Sequence, residues 1–112
     1  MRINIGDKKI FSQCLNKMLK TNIDPAELNG ITFNSREVQE GDIFIAFSGE
    51  RTNGHDYIQE CLKKGAVLII NEMLKDKNMI KVESSREALG ELSRRYRLSM
   101  NCKVIGFTGS NG

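Results

Sequence analysis

The chain has 112 residues, of which 39% are hydrophobic and 28% charged, and its formal net charge is +3. This composition is typical of one soluble globular domain with a short overhang, not of a disordered chain. The charge is too small and too evenly spread to favour a nucleic-acid partner. The amino terminus lacks the features of a signal peptide, and no stretch approaches the ~20 apolar residues of a membrane span. We therefore expect a cytoplasmic protein without a membrane or nucleic-acid partner.

Cysteine usage and catalytic patterns exclude several classes of site. Cys14, Cys61 and Cys102 are far apart and odd in number, so neither a disulfide framework nor a zinc site is indicated. The sequence has no nucleophile beside a base and no spaced carboxylate pair. We expect no catalytic residue and no metal ligand, and the chain's contribution should be binding.

The predicted elements begin with a helix, because Phe11 and Leu15 recur at helical spacing and Ser12 could be its N-cap. Residues 22–29 contain the single proline and indicate an irregular connection. A short alternating pattern predicts a strand at 31–35, and apolar runs predict strands at 42–47, 66–70, 79–82 and 104–107.

Two more helices are predicted between these strands. Asp56 could cap the first, with Gln59 three residues on, and Gly65 stands where a left-handed C-terminal cap is expected. Residues 84–87 have the Ser-x-x-Glu form of a capping box and should open a helix that ends near Ser99. Alternating strands and helices predict an α/β fold, a small layered domain whose mixed or parallel sheet is flanked by helices.

Two polar loops at strand ends are the candidate binding segments, because strand ends and helix starts bind polar ligands in α/β folds. Ordinary turns are an equally good explanation of the two glycines of the second loop, and a helix-start hydrogen bond explains the single histidine better than catalysis does. The first loop comprises Phe33, Asn34, Ser35 and Arg36, and the second contains Gly49, Glu50, Arg51, Thr52, Asn53, Gly54 and His55.

The end of the chain matches part of a phosphate-binding loop. An apolar run is followed by Thr108, Gly109, Ser110, Asn111 and Gly112, without the lysine and hydroxyl residue that such a loop presents to phosphate. Phe107 stands where the standard pattern has a glycine, so the match is a variant, and an ordinary turn is the alternative. We expect this chain to be the front part of a longer ATP-using enzyme.

Taken together, these segments resemble the amino-terminal part of a Mur ligase. The resemblance covers roughly residues 31–112 and is carried by the order of its motifs. These are Asn34-Ser35-Arg36, Gly41-Asp42-Ile43-Phe44-Ile45-Ala46, Gly49-Glu50-Arg51, Gly54-His55-Asp56-Tyr57-Ile58 and the Thr108-Gly109-Ser110-Asn111-Gly112 end. Residues 49–51 and 88–92 point to the branch of the family that adds D-Ala-D-Ala.

The resemblance implies a cytoplasmic enzyme of peptidoglycan precursor synthesis. Its full-length form would use ATP and Mg²⁺ to activate the carboxyl of a UDP-linked muramoyl peptide and join it to D-Ala-D-Ala. Residues 1–99 would bind the UDP end. Residues 100–112 would be a linker, the first strand and the truncated phosphate loop of the ATPase domain. The fragment alone would be inactive and without cofactor, and its tail could mediate self-association.

The family's binding residues transfer to the two polar loops. Ser35 matches the serine of the family's Asp-Ser-Arg motif and would hydrogen-bond the uridine, while Phe33 would border the uracil. The stretch 50–52 would line the same pocket, and residues 53–55 would shape the loop near ribose or diphosphate. Asn34 replaces the usual aspartate, which removes a charge and adds a donor. The alternatives are the ligase that adds the third peptide residue and a free-standing nucleotide-binding module.

Overall fold

The computed structural model describes residues 2–47, 54–73 and 75–105, with the side chains of residues 54, 55 and 101–105 not described. Its described part is an α/β domain with a five-stranded mixed sheet and helices on both faces, which confirms the predicted fold class. The strands are β1 (Arg2–Asn4), β2 (Gly30–Thr32), β3 (Ile43–Ile45), β4 (Leu68–Asn71) and β5 (Met79–Lys81). The helices are α1 (Lys8–Leu19), α2 (Ile58–Lys63) and α3 (Ser85–Ile105), with 3₁₀ turns at Pro25–Glu27, Ser35–Glu37 and Gly54–Tyr57.

The strands lie in the sheet in their sequence order, from β1 to β5. β1 runs antiparallel to β2, and β2 to β5 are parallel to one another. The carboxyl ends of four strands therefore meet at one edge of the sheet, which we call the carboxyl edge. In α/β folds this edge is where ligands bind.

The central strand β3 is buried on both faces, because its side chains alternate between two hydrophobic clusters. Ile43 and Ile45 pack with Leu15 of α1 and Leu92 of α3. On the opposite face, Phe44 belongs to the cluster that contains the residues buried by α2. This two-sided burial explains the apolar run that predicts a strand here.

The first helix begins earlier than the sequence predicts. Asp7, not Ser12, is the N-cap of α1, and its side chain accepts a hydrogen bond from the Ile10 N–H at 3.0 Å. Ser12 lies inside the helix, where its hydroxyl donates to the Lys9 carbonyl. The prediction failed because it relied on the spacing of apolar residues, and the first residues of the helix are charged.

The predicted cap of α2 is also wrong. Asp56 lies within the 3₁₀ turn Gly54–Tyr57, and the N-cap position of α2 falls on Tyr57, which makes no side-chain capping hydrogen bond. Because the 3₁₀ turn runs directly into α2, Asp56 lies inside a helical turn and not at the non-helical position that an N-cap occupies. The left-handed residue at Gly65 is confirmed by its φ of 98°.

The start of α3 is predicted correctly, and its end is not. The Ser84 hydroxyl accepts from the Glu87 N–H at 3.2 Å, as a capping box requires. The helix continues through Ile105, so the linker predicted from residue 100 and the strand predicted from Val104 are helical over their described part. No glycine or proline follows Gly90 until Gly106, so nothing stops the helix earlier. Residue 99 lies within α3, and the division into two domains stays a prediction.

The short edge strand β1 is held by a buried ion pair. Arg2 donates to both carboxylate oxygens of Asp42, Nε to Oδ2 at 2.6 Å and Nη2 to Oδ1 at 2.7 Å. The guanidinium passes over Gly30, where an added Cβ would lie 2.9 Å from Arg2 Nη2. Glycine at this position therefore allows β1 to reach across β2 to the residue that precedes β3. None of the described helices is long and apolar enough to cross a membrane.

Candidate functional site at the carboxyl edge of the sheet

Two phenylalanines form an aromatic pair at the carboxyl edge. Phe33 follows β2 and Phe47 follows β3, and their ring centroids are 5.5 Å apart at an interplanar angle of 53°. Because side chains alternate along a strand, each continues the sheet face of the core residue two positions earlier, Ile31 and Ile45. Phe33 remains 46% exposed. A half-exposed aromatic pair on a rigid sheet edge offers a flat surface to a planar ligand.

An arginine from α3 lies against this pair. The guanidinium carbon of Arg86 is 5.1 Å from the centroid of the Phe47 ring, within the range of a cation–π contact. Arg86 is exposed, and within the described part of the chain it forms no ion pair with a carboxylate. We call Phe33, Phe47 and Arg86 the edge cluster.

Asn34 organises the turn that follows Phe33. Its Oδ1 accepts from the Arg36 N–H at 3.0 Å, which caps the 3₁₀ turn Ser35–Glu37. Its amide Nδ2 donates to Glu37 Oε1 at 3.4 Å, a contact that the usual aspartate could not make. The replacement therefore keeps the turn and adds a weak donor beside Glu37.

Ser35 and Arg36 lie one turn further along the chain, on the α2 side of the sheet. The Lys64 ammonium, which follows α2, donates to the Ser35 carbonyl at 2.8 Å. Ser35 is half-buried, and Arg36 is exposed. The backbone of the turn is thus held by Lys64 on the α2 side of the sheet. Phe33 and the rest of the edge cluster lie on the opposite face. No described contact joins the Ser35 side chain to the edge cluster.

The start of α3 contributes polar groups to the same edge. The Ser85 N–H donates to Glu72 Oε2 at 2.8 Å, which links the helix to the residue after β4. The Ser85 hydroxyl is fully buried and has no hydrogen-bond partner within the described part of the chain. The first turn of α3 is therefore held firmly, and Arg86 projects from a fixed position.

Much of the second candidate loop lies outside the described residues. This applies to Gly49, Glu50, Arg51, Thr52 and Asn53, and to Thr108, Gly109, Ser110, Asn111 and Gly112 of the phosphate-loop pattern. Gly54 and His55 begin the 3₁₀ turn before α2, and their side chains are not described. The roles assigned to these residues stay predictions.

Sequence reasoning missed two members of the edge cluster. The sequence pattern places Phe47 only in a strand and Arg86 only in a capping box. The sequence held a signal for both, because Phe47 is the last residue of the strand predicted at 42–47 and Arg86 comes soon after the strand predicted at 79–82. Their proximity to Phe33 is a long-range contact, and no local pattern in the sequence encodes it.

The described residues contain no group that could hold a metal ion, and the thiol of Cys61 is buried. Within ranges 2–47, 54–73 and 75–105 no three His, Cys, Asp or Glu side chains are grouped to hold a metal ion. Cys61 is fully buried, and desolvation raises the pKa of its thiol to about 11. This thiol is therefore protonated near neutral pH and cannot act as a nucleophile.

Comparison with known proteins identifies the family. The model described as "Mur ligase family, catalytic domain" matches residues 27–97, which is more than half of the chain. The chain belongs to the Mur ligase family. The match includes every described residue of the edge cluster and of the turn at 34–37. The resemblance inferred from the motifs is thereby confirmed.

Several Mur ligases of known role are similar to this chain. The 2,6-diaminopimelate-adding ligase of Clostridium botulinum is 39% identical over 95 residues, covering 77% of this chain and 20% of the relative. The UDP-N-acetylmuramoyl-tripeptide–D-alanyl-D-alanine ligase of Rickettsia prowazekii is 42% identical over 88 residues, covering 75% and 19%. Both branches of the family therefore appear among the relatives.

Solved Mur ligase structures share the fold. MurF from Acinetobacter baumannii has a TM-score of 0.64 at 30% identity, over 80% of this chain and 21% of that one. MurF from Thermotoga maritima, solved in complex with ADP, has a TM-score of 0.54 at 44% identity, over 57% and 16%. The chain thus spans about a fifth of the length of the Mur ligases that it matches.

Proposed function

We propose that this chain binds the UDP end of a UDP-linked muramoyl peptide for a cytoplasmic, ATP-dependent Mur ligase. The observation that carries the proposal is the half-exposed aromatic pair of Phe33 and Phe47 at the carboxyl edge. The family match over residues 27–97 supports it. ATP and Mg²⁺ would serve the full-length enzyme, in which the pattern at 108–112 would form part of the ATP site.

The chemistry of uracil suits this edge. Uracil is flat and stacks on aromatic rings, and each stacked base is worth about 1–3 kcal/mol by alanine substitution. Donors and acceptors around its ring can be read by the turn that Asn34 caps, with the Ser35 hydroxyl as the predicted uridine ligand. Each neutral hydrogen bond adds only about 0.5–1.5 kcal/mol net. The chain should therefore hold UDP weakly, with a Kd of roughly millimolar.

For the amino component, we propose D-Ala-D-Ala. Support comes from the 42% identity to the D-alanyl-D-alanine ligase of Rickettsia prowazekii and the 44% identity to MurF of Thermotoga maritima. The competing candidate is the ligase that adds 2,6-diaminopimelate, favoured by relatives such as the Clostridium tetani enzyme at 35% identity over 114 residues. Expressing the complete reading frame and assaying ATP-dependent ligation with each amino component would separate them. Activity with diaminopimelate alone would refute our choice.

Binding is tested by titrating the chain with UDP and following the protein signals by NMR. We expect saturation with a Kd of roughly millimolar, and Phe33→Ala should raise it about tenfold, since base stacking contributes ~1–3 kcal/mol. Leu98→Ala is the matched control. Leu98 is 49% exposed on α3, so this substitution removes comparable apolar surface away from the edge cluster. No binding at ~5–10 mM UDP, several times that Kd, would refute the proposal.

Self-association through the tail stays a prediction. Part of the tail, residues 106–112, lies outside the described residues. Sedimentation of the chain at rising concentration, compared with a variant that ends at residue 105, tests it. An unchanged monomer in both would contradict it.

A further inference from the structure

The position of Arg86 is unfavourable for helix stability. It is the second residue of α3, where the partial positive charge of the helix dipole repels a cation. It is exposed, and no carboxylate pairs with it within the described part of the chain. Other arginines of the same helix are paired: Arg94 and Arg95 both contact Glu91. Arg86 therefore contributes little to folding by its charge.

The contact with Phe47 leaves hydrogen-bonding groups of Arg86 available. The guanidinium carbon lies over the Phe47 ring, 5.1 Å from its centroid, and a cation–π contact uses the face of the guanidinium or a single N–H, not all five donors. The planar fork is itself preorganised, so less entropy is lost for each hydrogen bond that it forms with an anion. Phosphate oxygens match this fork in two-point contacts.

We propose that Arg86 is a ligand for the diphosphate of the nucleotide whose base stacks at Phe33. This inference rests on the proposed function, and it adds a phosphate contact on α3 that is remote in sequence from both polar loops. Phe47 joins the two parts, because it contacts both Phe33 and Arg86. The edge cluster would thus receive the base at one end and negative charge at the other.

The test compares UDP with uridine, which lacks the phosphates, using Arg86→Gln and the wild-type chain. We expect Arg86→Gln to raise the Kd for UDP about tenfold, as the loss of a charged hydrogen bond implies. The Kd for uridine should stay unchanged. Thermal unfolding should show the variant as stable as the wild type, because the charge that is removed opposes the helix dipole.

Arg97→Gln is the matched control. Arg97 lies on the same helix, is exposed and forms no ion pair within the described part of the chain, so the change in net charge is identical. Arg97 lies eleven positions after Arg86 on the helix, a rise of about 16 Å, which exceeds the Debye length of ~8 Å at physiological salt. We expect its affinity for UDP to equal that of the wild type.

The outcomes distinguish this inference from the proposed function. An unchanged Kd for UDP in Arg86→Gln, or an equal loss in Arg97→Gln, refutes the phosphate contact and leaves the nucleotide site intact. An equal loss for UDP and uridine also refutes it, since Arg86 would then act only by holding Phe47. If the wild-type chain binds neither ligand, the proposed function and this inference are both wrong.

Discussion

The buried ion pair between Arg2 and Asp42 gives the sharpest prediction about the fold. The Asp42 side chain is fully buried, and the Arg2 side chain is 15% exposed. Asp42 Oδ2 also accepts from the Gln39 N–H at 2.9 Å, and the two-point contact with the carboxylate raises the pKa of Arg2. Asp42→Ala would remove the acceptor of Arg2 Nε and Nη2 and of the Gln39 N–H, while Arg2 Nη1 would keep its hydrogen bond to Asn4 Oδ1.

We expect Asp42→Ala to lower the free energy of unfolding by about 3 kcal/mol. Removing one partner of a buried pair typically costs ~3–5 kcal/mol, and the residual exposure of Arg2 places this pair at the lower end. That loss is a large fraction of the ~5–15 kcal/mol expected for a domain. Urea unfolding followed by far-UV circular dichroism measures it, because the chain has no tryptophan.

The double variant Arg2→Met, Asp42→Leu tests the reasoning behind this magnitude. Replacing both charges with apolar groups removes the desolvation cost together with the attraction, and such exchanges are often close to neutral. We therefore expect the double variant to be more stable than Asp42→Ala by at least ~1 kcal/mol. A cost below ~1 kcal/mol for Asp42→Ala, or a double variant less stable than it, would refute the account.

Three further changes probe the helices and the core. Gly90→Ala should stabilise the chain by ~0.5–1 kcal/mol in urea unfolding, because a Cβ at Gly90 meets nothing within 4 Å; a destabilised variant would contradict this. Ser84→Ala should cost ~1 kcal/mol through the lost cap, whereas Ser85→Ala should be neutral or stabilising, because its buried hydroxyl has no partner among the residues that the structure describes. A greater loss of stability in Ser85→Ala than in Ser84→Ala would contradict this geometry. With its pKa raised to about 11, Cys61 should react with iodoacetamide near pH 8 at least ~100-fold more slowly than in urea, read by peptide mass; equal rates would contradict its burial.

The core strands were predictable because burial on both faces leaves a continuous apolar run. This holds for β3 and β4, whose residues are all buried, and these strands were sufficient to predict the fold class. β1 was not predicted, since a strand of only three residues, Arg-Ile-Asn, is too short for its polar–apolar alternation to identify it. Its place depends on the pairing with β2 and on the ion pair of Arg2, which are both distant contacts.

The candidate site was predictable in part. The turn at 34–37 follows from local chemistry, because an Asx residue before a polar run caps a 3₁₀ turn, and an amide serves as well as a carboxylate. The contact between Phe47 and Arg86 joins residues 39 positions apart in the chain. They meet only because parallel strands pair side by side in the sheet and α3 packs against that sheet.

The central claim concerns where a uracil nucleotide binds, and a chemical-shift map tests it most directly. Backbone amide signals are assigned and followed as UDP is added to the chain. We predict the largest shifts at residues 33–36 and 84–87, which include two members of the edge cluster, and little change near Glu40 and Gly65 at the opposite edge of the sheet. Shifts concentrated at that opposite edge, or no shifts, would contradict the account.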